Sequence, residues 1–391
     1  MTFKIAFVST MAGFPWGGSE ELWSQTAIWL ASQGHTISAS VRDYPQPRPQ
    51  LTQLQRLGVA VKVRRYIAPS LLRRVFQRLK LLQPIDMTHR LFQNWLLQIK
   101  PDLVCLSSGA ITDIEFEYFA SVCLEQSIPF VTVGQANAEI FWTDSETAQR
   151  SRKIFQSAMR CFFVSQGNQH LFEKQIATSL TNAEIVCNPF QVNYDAAPPW
   201  TEPTESSPWR LACVARLDPR AKGQDLLVDV LSQQKWRDRP LQISLFGSGP
   251  MATTLKQLVS QYQLESKIKF AGHVSNVEDI WQSHHALILP SRYEGLPLAL
   301  VECMLCGRPA IVTDVAGNKE VLDDGETGFI AEAPTVKHLD EAIERAWEQR
   351  HNWQAMGQLA GERIRQKVPR NPAVDFGQRL LKIVLHTKNH K

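Results

Sequence analysis

The sequence predicts an α/β protein made of two doubly wound, Rossmann-like parallel-sheet domains. Three observations lead to this fold class. The chain has 391 residues, more than the roughly 100–200 of a usual domain. Short runs rich in Ile, Val and Phe alternate with amphipathic stretches of helical length, which is typical of a parallel sheet covered by helices on both faces. A proline-rich segment interrupts this alternation, which indicates a linker between two domains.

The first domain is predicted at residues 1–188. Its strands are the apolar runs 3–8, 36–41, 59–63, 103–106, 130–133, 161–164 and 184–187. The linker is predicted at 189–208, where prolines lie among Ser, Thr and Glu and resist both helix and strand.

The second domain is predicted at 209–370, and its sheet repeats the same alternation. Its strands are the apolar runs 211–215, 242–246, 268–271, 286–289, 310–313 and 328–331. Two helical stretches follow at 336–349 and 351–367, and the C-terminal segment 371–391 carries one more at 373–385. Open α/β sheets bind ligands beyond the carboxyl ends of their strands, so we expect the active site in a cleft between the two domains.

Composition narrows the class of protein. The 44% hydrophobic and 20% charged residues are ordinary for a globular chain, and a formal charge of +4 does not indicate nucleic-acid binding. The seven cysteines lie mostly in apolar runs without a disulfide spacing, which favours reduced thiols and a cytoplasmic protein. The N-terminus lacks the pattern of a signal peptide, and no apolar run approaches the length of a membrane span.

Glycine loops follow two of the predicted strands. Gly17 and Gly18 precede a helix for which Ser19 is a plausible N-cap, and Gly247 begins a Gly-Ser-Gly-Pro turn in which Pro250 stands at a first helical position. Backbone N–H groups at a helix start face an anion readily, and glycine lets the anion approach. A tight turn that requires glycine is an equally good interpretation.

Cations and carboxylates mark the loops of the second domain. Arg216 and Lys222 follow its first strand, where two cations would neutralise a departing diphosphate; solvated loop charges are the alternative. Glu294 and Glu302 stand on either side of the helix start at Gly295-Leu296-Pro297. Pro297 suits the first turn, whose free N–H groups form an anion site. Carboxylates beside such a site suit sugar hydroxyls, which donate hydrogen bonds to them.

These motifs resemble those of the family 4 (group 1) retaining glycosyltransferases of the GT-B fold. By this resemblance, Glu294 contacts the hydroxyls of the donor sugar together with the adjacent Gly295 and Leu296, and Glu302 holds the ribose. Arg216 and Lys222 bind the donor diphosphate, and the loop of Gly17 and Gly18 closes over it. Val274, in the segment 270–274, lies beside the nucleobase, and the helix at 373–385 crosses back onto the first domain.

One position departs from the family. A histidine commonly follows the strand here read as 130–133, but this chain has Gly134-Gln135-Ala136-Asn137. Gln135 or Asn137 would replace it by hydrogen bonding, and neither is an acid or a base at neutral pH. Glu139 is the nearby carboxylate and faces the acceptor in this interpretation, with a surface position as the alternative.

The basic segment 44–85 contains no Asp or Glu. Within it, Leu71–Leu82 is amphipathic and basic, which favours peripheral contact with an anionic membrane at the inner face; a solvated helix or a site for an acidic acceptor is the alternative. Cys303 and Cys306 have the spacing of half a metal site, but no second pair exists, so we expect no metal.

The sequence therefore predicts a metal-independent, retaining, hexosyltransferase-type enzyme. It would use a nucleotide-sugar co-substrate, UDP- or GDP-sugar, with no further cofactor, and transfer the sugar to a saccharide, lipid-linked or small-molecule acceptor. The alternative from another class is a nucleotide-sugar-binding protein with little or no turnover. A sugar-nucleotide epimerase of the same fold is a weaker alternative, because such epimerases lack the segment that this chain has at Glu294–Glu302.

Overall fold

The computed structural model describes residues 1–12, 14–64, 87–109, 114–204 and 207–389. It divides into two compact units. The first comprises Met1–Val164, Asn168–Pro189 and Asn371–Lys391, and the second comprises Ser165–Gly167 and Phe190–Arg370. The predicted basic helix at 71–82 lies outside the described residues.

The first unit is built on a parallel sheet. Its strands are β1 (Lys4–Ser9), β2 (Thr36–Arg42), β3 (Ala60–Arg64), β4 (Leu103–Ser108), β5 (Phe130–Gly134), β6 (Arg160–Phe163) and β7 (Ala183–Ile185). Their order is β3-β2-β1-β4-β5-β6-β7, and each pair of neighbours is parallel. The order reverses between β1 and β4, which is the switch point where doubly wound sheets bind ligands. All the strands predicted for this domain are confirmed, with ends shifted by at most two residues.

Helices cover both faces of this sheet. They are α1 (Gly18–Ser32), α2 (Pro49–Arg56), α3 (Met87–Ile99), α4 (Ile114–Glu125), α5 (Ser145–Ser157) and α6 (Gln166–Gln175), together with a C-terminal helix (Pro372–Asn389). Successive strand residues alternate between the faces. Ile5 and Phe7 of β1 therefore pack with α1 and the C-terminal helix, whereas Ala6 and Val8 pack with helices α3 to α6. This two-sided burial explains why the strands are continuous apolar runs.

The C-terminal helix belongs to the first unit and packs against α1. The ring of Phe376 meets that of Phe162 edge-on at 5.1 Å, and Thr26 Oγ1 donates a hydrogen bond to the carbonyl of Ala373 at 3.1 Å. At Gly377 a Cβ would lie 2.4 Å from the ring of Trp29, so the two helices approach closely there.

The second unit has its own parallel sheet. Its strands are β8 (Trp209–Val214), β9 (Leu241–Phe246), β10 (Ile268–Gly272), β11 (Ala286–Leu289), β12 (Ala310–Thr313) and β13 (Gly328–Ala331). Their order is β10-β9-β8-β11-β12-β13, with the switch between β8 and β11. The strands predicted for this sheet are confirmed. Its helices are α7 (Pro219–Lys222), α8 (Gln224–Leu231), α9 (Gln234–Asp238), α10 (Ala252–Gln261), α11 (Glu278–Trp281), α12 (Leu298–Leu305), α13 (Asn318–Val321), α14 (Val336–Glu348) and α15 (Trp353–Lys367).

Much of the segment predicted as a linker, 189–208, is fastened to the second unit. The buried guanidinium of Arg308 donates to the carbonyls of Pro199 (2.7 Å) and His284 (3.1 Å). His285 accepts from the backbone N–H of Arg210 through Nδ1 (2.9 Å), so its Nε2 donates to the carbonyl of Thr201 (3.0 Å). None of the described helices is both long and apolar enough to cross a bilayer.

Candidate functional site

Loops at the carboxyl ends of β8, β11 and β12 converge on one edge of the second sheet. The backbone N–H of Arg292 donates to the carbonyl of Ala221 (2.8 Å), and Thr313 Oγ1 donates to the carbonyl of Ser291 (2.6 Å). The N–H of Gly317 donates to the carbonyl of Gly295 (3.0 Å). The two stretches predicted to carry site residues, around Lys222 and around Glu294, are thus brought to one place beside the loop after β12.

Lys222 and Glu294 form the centre of this edge. Lys222 Nζ lies 2.6 Å from Glu294 Oε1, and Ser291 Oγ donates to the same oxygen at 2.7 Å. The Glu294 side chain is 7% exposed and that of Lys222 is 21% exposed. Among the described residues, Glu294 Oε2 has no hydrogen-bond donor, so this oxygen is available to accept from a hydroxyl.

Arg216 lies in the loop after β8. Its Nη2 is 3.3 Å from Asp218 Oδ2, and the other oxygen of Asp218 meets Arg220 Nε at 3.2 Å. Gln224 Nε2 donates to the carbonyl of Arg216 at 2.8 Å. The Arg216 side chain is about one-third exposed, so its cation is accessible at this edge while Asp218 orients it.

The start of α12 carries the predicted anion site. Leu298 is its first residue and Pro297 is the N-cap, one position earlier than the first-turn location predicted. The first N–H to bond within the helix is that of Leu300, to the carbonyl of Pro297 (3.1 Å), so the N–H groups of Leu298 and Ala299 have no intrahelical acceptor. These are the donors expected to face an anion.

Glu302 lies on the second turn of α12 and is buried. Its Oε1 accepts from the backbone N–H of Gln191 at 2.8 Å, and burial raises the pKa of its carboxyl. Gln191 belongs to the segment predicted as a linker, so this segment completes the surroundings of a predicted site residue.

The turn at Gly247 packs closely against neighbouring backbone. A Cβ at Gly247, whose φ is +128°, would lie 2.3 Å from the carbonyl oxygen of Ala215. The N–H of Gly247 donates to the carbonyl of Gly272 (2.7 Å), so this N–H is already engaged; contact of Gly247 with the donor stays a prediction. The helix after this turn, α10, begins at Ala252, so Pro250 is not its first residue as predicted.

Val274 lies two residues beyond the edge strand β10 and is half-buried. Its contact with a nucleobase stays a prediction.

In the first unit, Gly17 is the N-cap of α1 and Gly18 its first residue, so the predicted capping role of Ser19 is wrong. A Cβ at Gly17 would lie 2.3 Å from the ring of Phe14, which accounts for a glycine at this position. That the loop closes over a diphosphate stays a prediction.

Glu20, on the first turn of α1, is a buried carboxyl to which the sequence analysis assigned no role. Ser9 Oγ donates to its Oε1 (2.8 Å) and Trp23 Nε1 to its Oε2 (3.0 Å). Burial raises the pKa of Glu20 to about 7 despite these donors. An acidic residue after a glycine loop is an ordinary first-turn residue, so the sequence carried no signal of its burial.

The residues in place of the family histidine are held by internal hydrogen bonds. Gln135 Oε1 accepts from Asn188 Nδ2 (2.7 Å), and Gln135 Nε2 donates to the carbonyl of Ser19 (3.4 Å). Asn137 Nδ2 donates to Gln175 Oε1 (2.8 Å), and its Oδ1 accepts from the N–H of Ala138 (2.9 Å).

Asn137 is 2% exposed with both amide atoms engaged, so it positions this loop. Contact of Gln135 or Asn137 with the sugar or the acceptor stays a prediction. Glu139 is exposed on a short 3₁₀ turn (Glu139–Phe141).

Three further contacts of the second unit were not predicted. Arg292 forms a bidentate pair with Asp225, both distances being 2.7 Å, and ties the loop after β11 to α8. Ser291 and Asp218 shape the site through Glu294 and Arg216. Ser291 and Asp218 lie close in the sequence to the predicted residues Glu294 and Arg216. No sequence pattern, however, indicates which side chains they bond.

No group of three metal-binding side chains occurs among the described residues. Cys303 and Cys306 are free, buried thiols of the α12 region. Burial raises the pKa of the Cys306 thiol to about 12 and that of Cys303 well above its usual value, so neither is a ready thiolate ligand.

Most of the second unit is similar in sequence to a known protein family. Residues 199–363 match the sequence model of the family described as glycosyl transferases group 1. The alpha-D-kanosaminyltransferase of Streptomyces kanamyceticus is 28% identical over 126 residues, 32% of this chain and 33% of that protein. The N-acetyl-alpha-D-glucosaminyl L-malate synthase of Bacillus anthracis is 36% identical over 104 residues, 26% of this chain and 27% of that protein. The matched regions therefore span about a quarter to a third of these relatives.

Among solved structures, Anabaena Alr3699/HepE in complex with UDP-glucose superposes with a TM-score of 0.73 at 18% identity, covering 100% of both chains. At this identity the likeness concerns the fold. The two parallel sheets and the structural neighbours show that this chain has the GT-B fold, and its residues 199–363 match the group 1 glycosyltransferases.

Proposed function

We propose that the protein is a retaining, hexosyltransferase-type glycosyltransferase that moves a sugar from a nucleotide-diphosphate donor, a UDP- or GDP-sugar, to an acceptor hydroxyl without a metal. The observation that carries the proposal is the pair of Lys222 and Glu294, with Nζ 2.6 Å from Oε1 and Oε2 left to accept a hydrogen bond. A cation and a hydroxyl acceptor this close suit a sugar joined to a phosphate.

The leaving diphosphate would be stabilised by Arg216, Lys222 and the N-terminus of α12. Charge builds on the bridging phosphate oxygen as the glycosidic bond breaks, and donors already in place lower the barrier more than flexible ones. Glu294 Oε2 would accept from a hydroxyl of the donor sugar, with Gly295 and Leu296 beside it. Glu302 would accept from the ribose.

The reaction would proceed on one face of the sugar. The bond from the anomeric carbon to the phosphate oxygen breaks, the acceptor oxygen bonds to the same carbon, and its proton passes to the departing phosphate. No covalent nucleophile enters this proposal, because Glu294 Oε2 is assigned to accept from a hydroxyl of the donor sugar while its Oε1 is held by Lys222 and Ser291. This front-face route gives retention of configuration.

The acceptor is a saccharide, a lipid-linked glycan or a small molecule, and the protein is cytoplasmic in this proposal. The two relatives described above are named as an alpha-D-kanosaminyltransferase and an N-acetyl-alpha-D-glucosaminyl L-malate synthase, so the sugar groups in their names differ. The loops of the first unit, with Glu139 exposed on one of them, would provide the acceptor side.

A second candidate is a nucleotide-sugar-binding protein with little turnover. It is favoured by one observation: Gln135 and Asn137, in place of the family histidine, are both engaged in internal hydrogen bonds.

Donor binding separates these candidates from an unrelated function. Calorimetric titration with UDP-glucose, UDP-N-acetylglucosamine and GDP-mannose in EDTA is expected to show one donor binding, and Lys222→Ala to weaken it at least tenfold. The matched control is Lys337→Ala, an exposed lysine of α14. Binding by no donor, or equal binding by Lys222→Ala, would overturn the site assignment.

Turnover then separates the enzyme from the binding protein. The donor that binds is incubated with acceptor panels, and release of nucleoside diphosphate and the anomeric proton of the product are followed by NMR. Transfer with retention in EDTA supports the enzyme. Binding without transfer or donor hydrolysis favours the second candidate.

A further inference from the structure

The first unit contains a cavity that the proposed function does not use. Its volume is about 450 Å³, in the range of sites for small ligands. It is lined by Met159, Arg160, Glu184, Arg379, Lys382, Ile383 and His386. Arg160 is the first residue of β6 and Glu184 lies in β7, so the cavity sits at the amino ends of these strands, away from the carboxyl edge of the sheet.

Cations dominate the polar lining. Arg160, Arg379 and Lys382 stand against one carboxylate, that of Glu184. Arg160 Nε is 2.8 Å from Glu184 Oε1, and Arg379 Nη1 is 3.6 Å from Glu184 Oε2. A single carboxylate thus engages two guanidinium groups, each through a different oxygen.

Arg379 is fixed by further contacts on the C-terminal helix. Its Nη2 lies 2.9 Å from a carboxylate oxygen of Asp375, and its Nη1 donates to the carbonyl of Ile185 at 2.9 Å. A guanidinium held at three points is already ordered, so binding would cost little side-chain entropy there.

Lys382 differs from the two arginines. It is exposed, and within the part of the chain that the structure describes it makes no hydrogen bond or ion pair. It stands one turn before His386 on the same helix face, a spacing that brings the two side chains together. Its ammonium group therefore has its three donors available to a ligand.

The apolar part of the lining is Met159 and Ile383, both half-buried against the core of the first unit. These two side chains form an apolar wall, against which the hydrocarbon part of a ligand would be buried from water. Leu385, 41% exposed, lies nearby on the same helix.

We infer that this cavity binds a phosphate group carried on a partly apolar molecule. Arg160, Arg379 and Lys382 carry three positive charges against the two carboxylates of Glu184 and Asp375, which leaves an excess of one positive charge, that of Lys382. This excess suits an anionic phosphate ester better than a neutral ligand. Guanidinium and ammonium groups bind phosphate oxygens through charge-assisted hydrogen bonds. The ligand is either a soluble phosphate ester or the headgroup of an anionic phospholipid, and both present this chemistry.

The test measures binding to the full chain of inorganic phosphate, glycerol 3-phosphate, and phosphatidylcholine vesicles with and without phosphatidylglycerol. Lys382→Gln is expected to weaken binding about tenfold, and Lys382→Arg to retain it. Lys174→Gln, an exposed lysine of α6 that is not in the lining, is the charge-matched control. Thermal unfolding of each variant checks that it is folded.

Binding of the soluble probes that Lys382→Gln weakens identifies a phosphate ester. Binding of the phosphatidylglycerol vesicles alone, weakened by the same variant, identifies a phospholipid headgroup. Absence of binding by the wild-type protein, or binding that Lys382→Gln and Lys174→Gln reduce equally, would overturn the inference. Vesicle binding that Lys382→Gln leaves unchanged would overturn it as well, because the basic segment 71–82 would then account for it.

Discussion

Lys222 Nζ and Glu294 Oε1 are 2.6 Å apart, with the carboxylate 7% and the lysine 21% exposed. A charge pair buried to this extent costs desolvation energy, which its mutual attraction offsets only while both partners are present. The pair is therefore a sensitive point for stability as well as for the proposed donor site.

Removal of the cation alone is expected to destabilise the protein. Lys222→Met leaves a nearly buried carboxylate with Ser291 as its remaining donor, at a cost of about 2 kcal/mol in the free energy of unfolding. The double variant Lys222→Met/Glu294→Gln removes the unpaired charge and should recover at least half of that loss. Urea unfolding of the single and double variants measures the coupling. Strictly additive effects would mean that the two side chains are not energetically paired.

The backbone at Gly223 is expected to tolerate no side chain. Its φ is +64°, and a Cβ there would lie 2.0 Å from the carbonyl oxygen of Pro290, whose loop carries Glu294. Gly223→Ala should cost roughly 3 kcal/mol or more and also weaken donor binding. Gly325, with φ +79° and nothing within 4 Å of its Cβ position, is the matched control.

Gly325→Ala should cost only the backbone strain, roughly 1 kcal/mol. Chemical denaturation of both variants is the measurement. Equal losses would show that the approach of Gly223 to Pro290 is unimportant and that the left-handed conformation alone accounts for the glycine.

A buried histidine is expected to make stability depend on pH. Burial lowers the pKa of His284 from 6.5 to about 4; Nδ1 lies 3.0 Å from the carbonyl of Ile280 and Nε2 2.9 Å from Ser244 Oγ. Below pH 6.5 the unfolded chain takes up a proton that the folded chain refuses until about pH 4. The contribution of His284 to the free energy of unfolding therefore falls as the pH drops through this window, by up to roughly 3 kcal/mol.

The measurement is the free energy of unfolding of the wild type and of His284→Gln between pH 4 and pH 8. Glu20, whose pKa is raised to about 7, gives the opposite slope between about pH 4.5 and 7, but it is present in both proteins and cancels in the difference. The wild type should lose its advantage over the variant towards pH 4. A difference that does not change with pH would contradict the burial of a neutral imidazole.

The strands could be predicted well because their cause is local. Residues 286–289 and 310–313 form strands with the predicted bounds, since each is a short apolar run that burial on both faces requires. Side-chain contacts are not local in this sense. The pair of Arg292 and Asp225 joins residues 67 positions apart, and no pattern in either stretch of sequence predicts that they form an ion pair. The hydrogen bond of the Gly247 N–H could not be predicted for the same reason, because its acceptor is the carbonyl of Gly272 on the neighbouring strand β10.

The loop after β5 is expected to separate a positioning residue from a contact residue. Asn137 is buried and bonded to Gln175 and Ala138, so Asn137→Ala should cost about 1–3 kcal/mol in stability by leaving Gln175 Oε1 without its donor. Glu139 is exposed, so Glu139→Ala should leave the free energy of unfolding within about 0.5 kcal/mol of the wild type. If Glu139 faces the acceptor, the same variant raises the KM for acceptor and leaves donor affinity unchanged. Denaturation curves and steady-state kinetics of both variants test this division. A Glu139→Ala enzyme with the wild-type KM for acceptor would favour the alternative that Glu139 is a surface residue without contact to the acceptor.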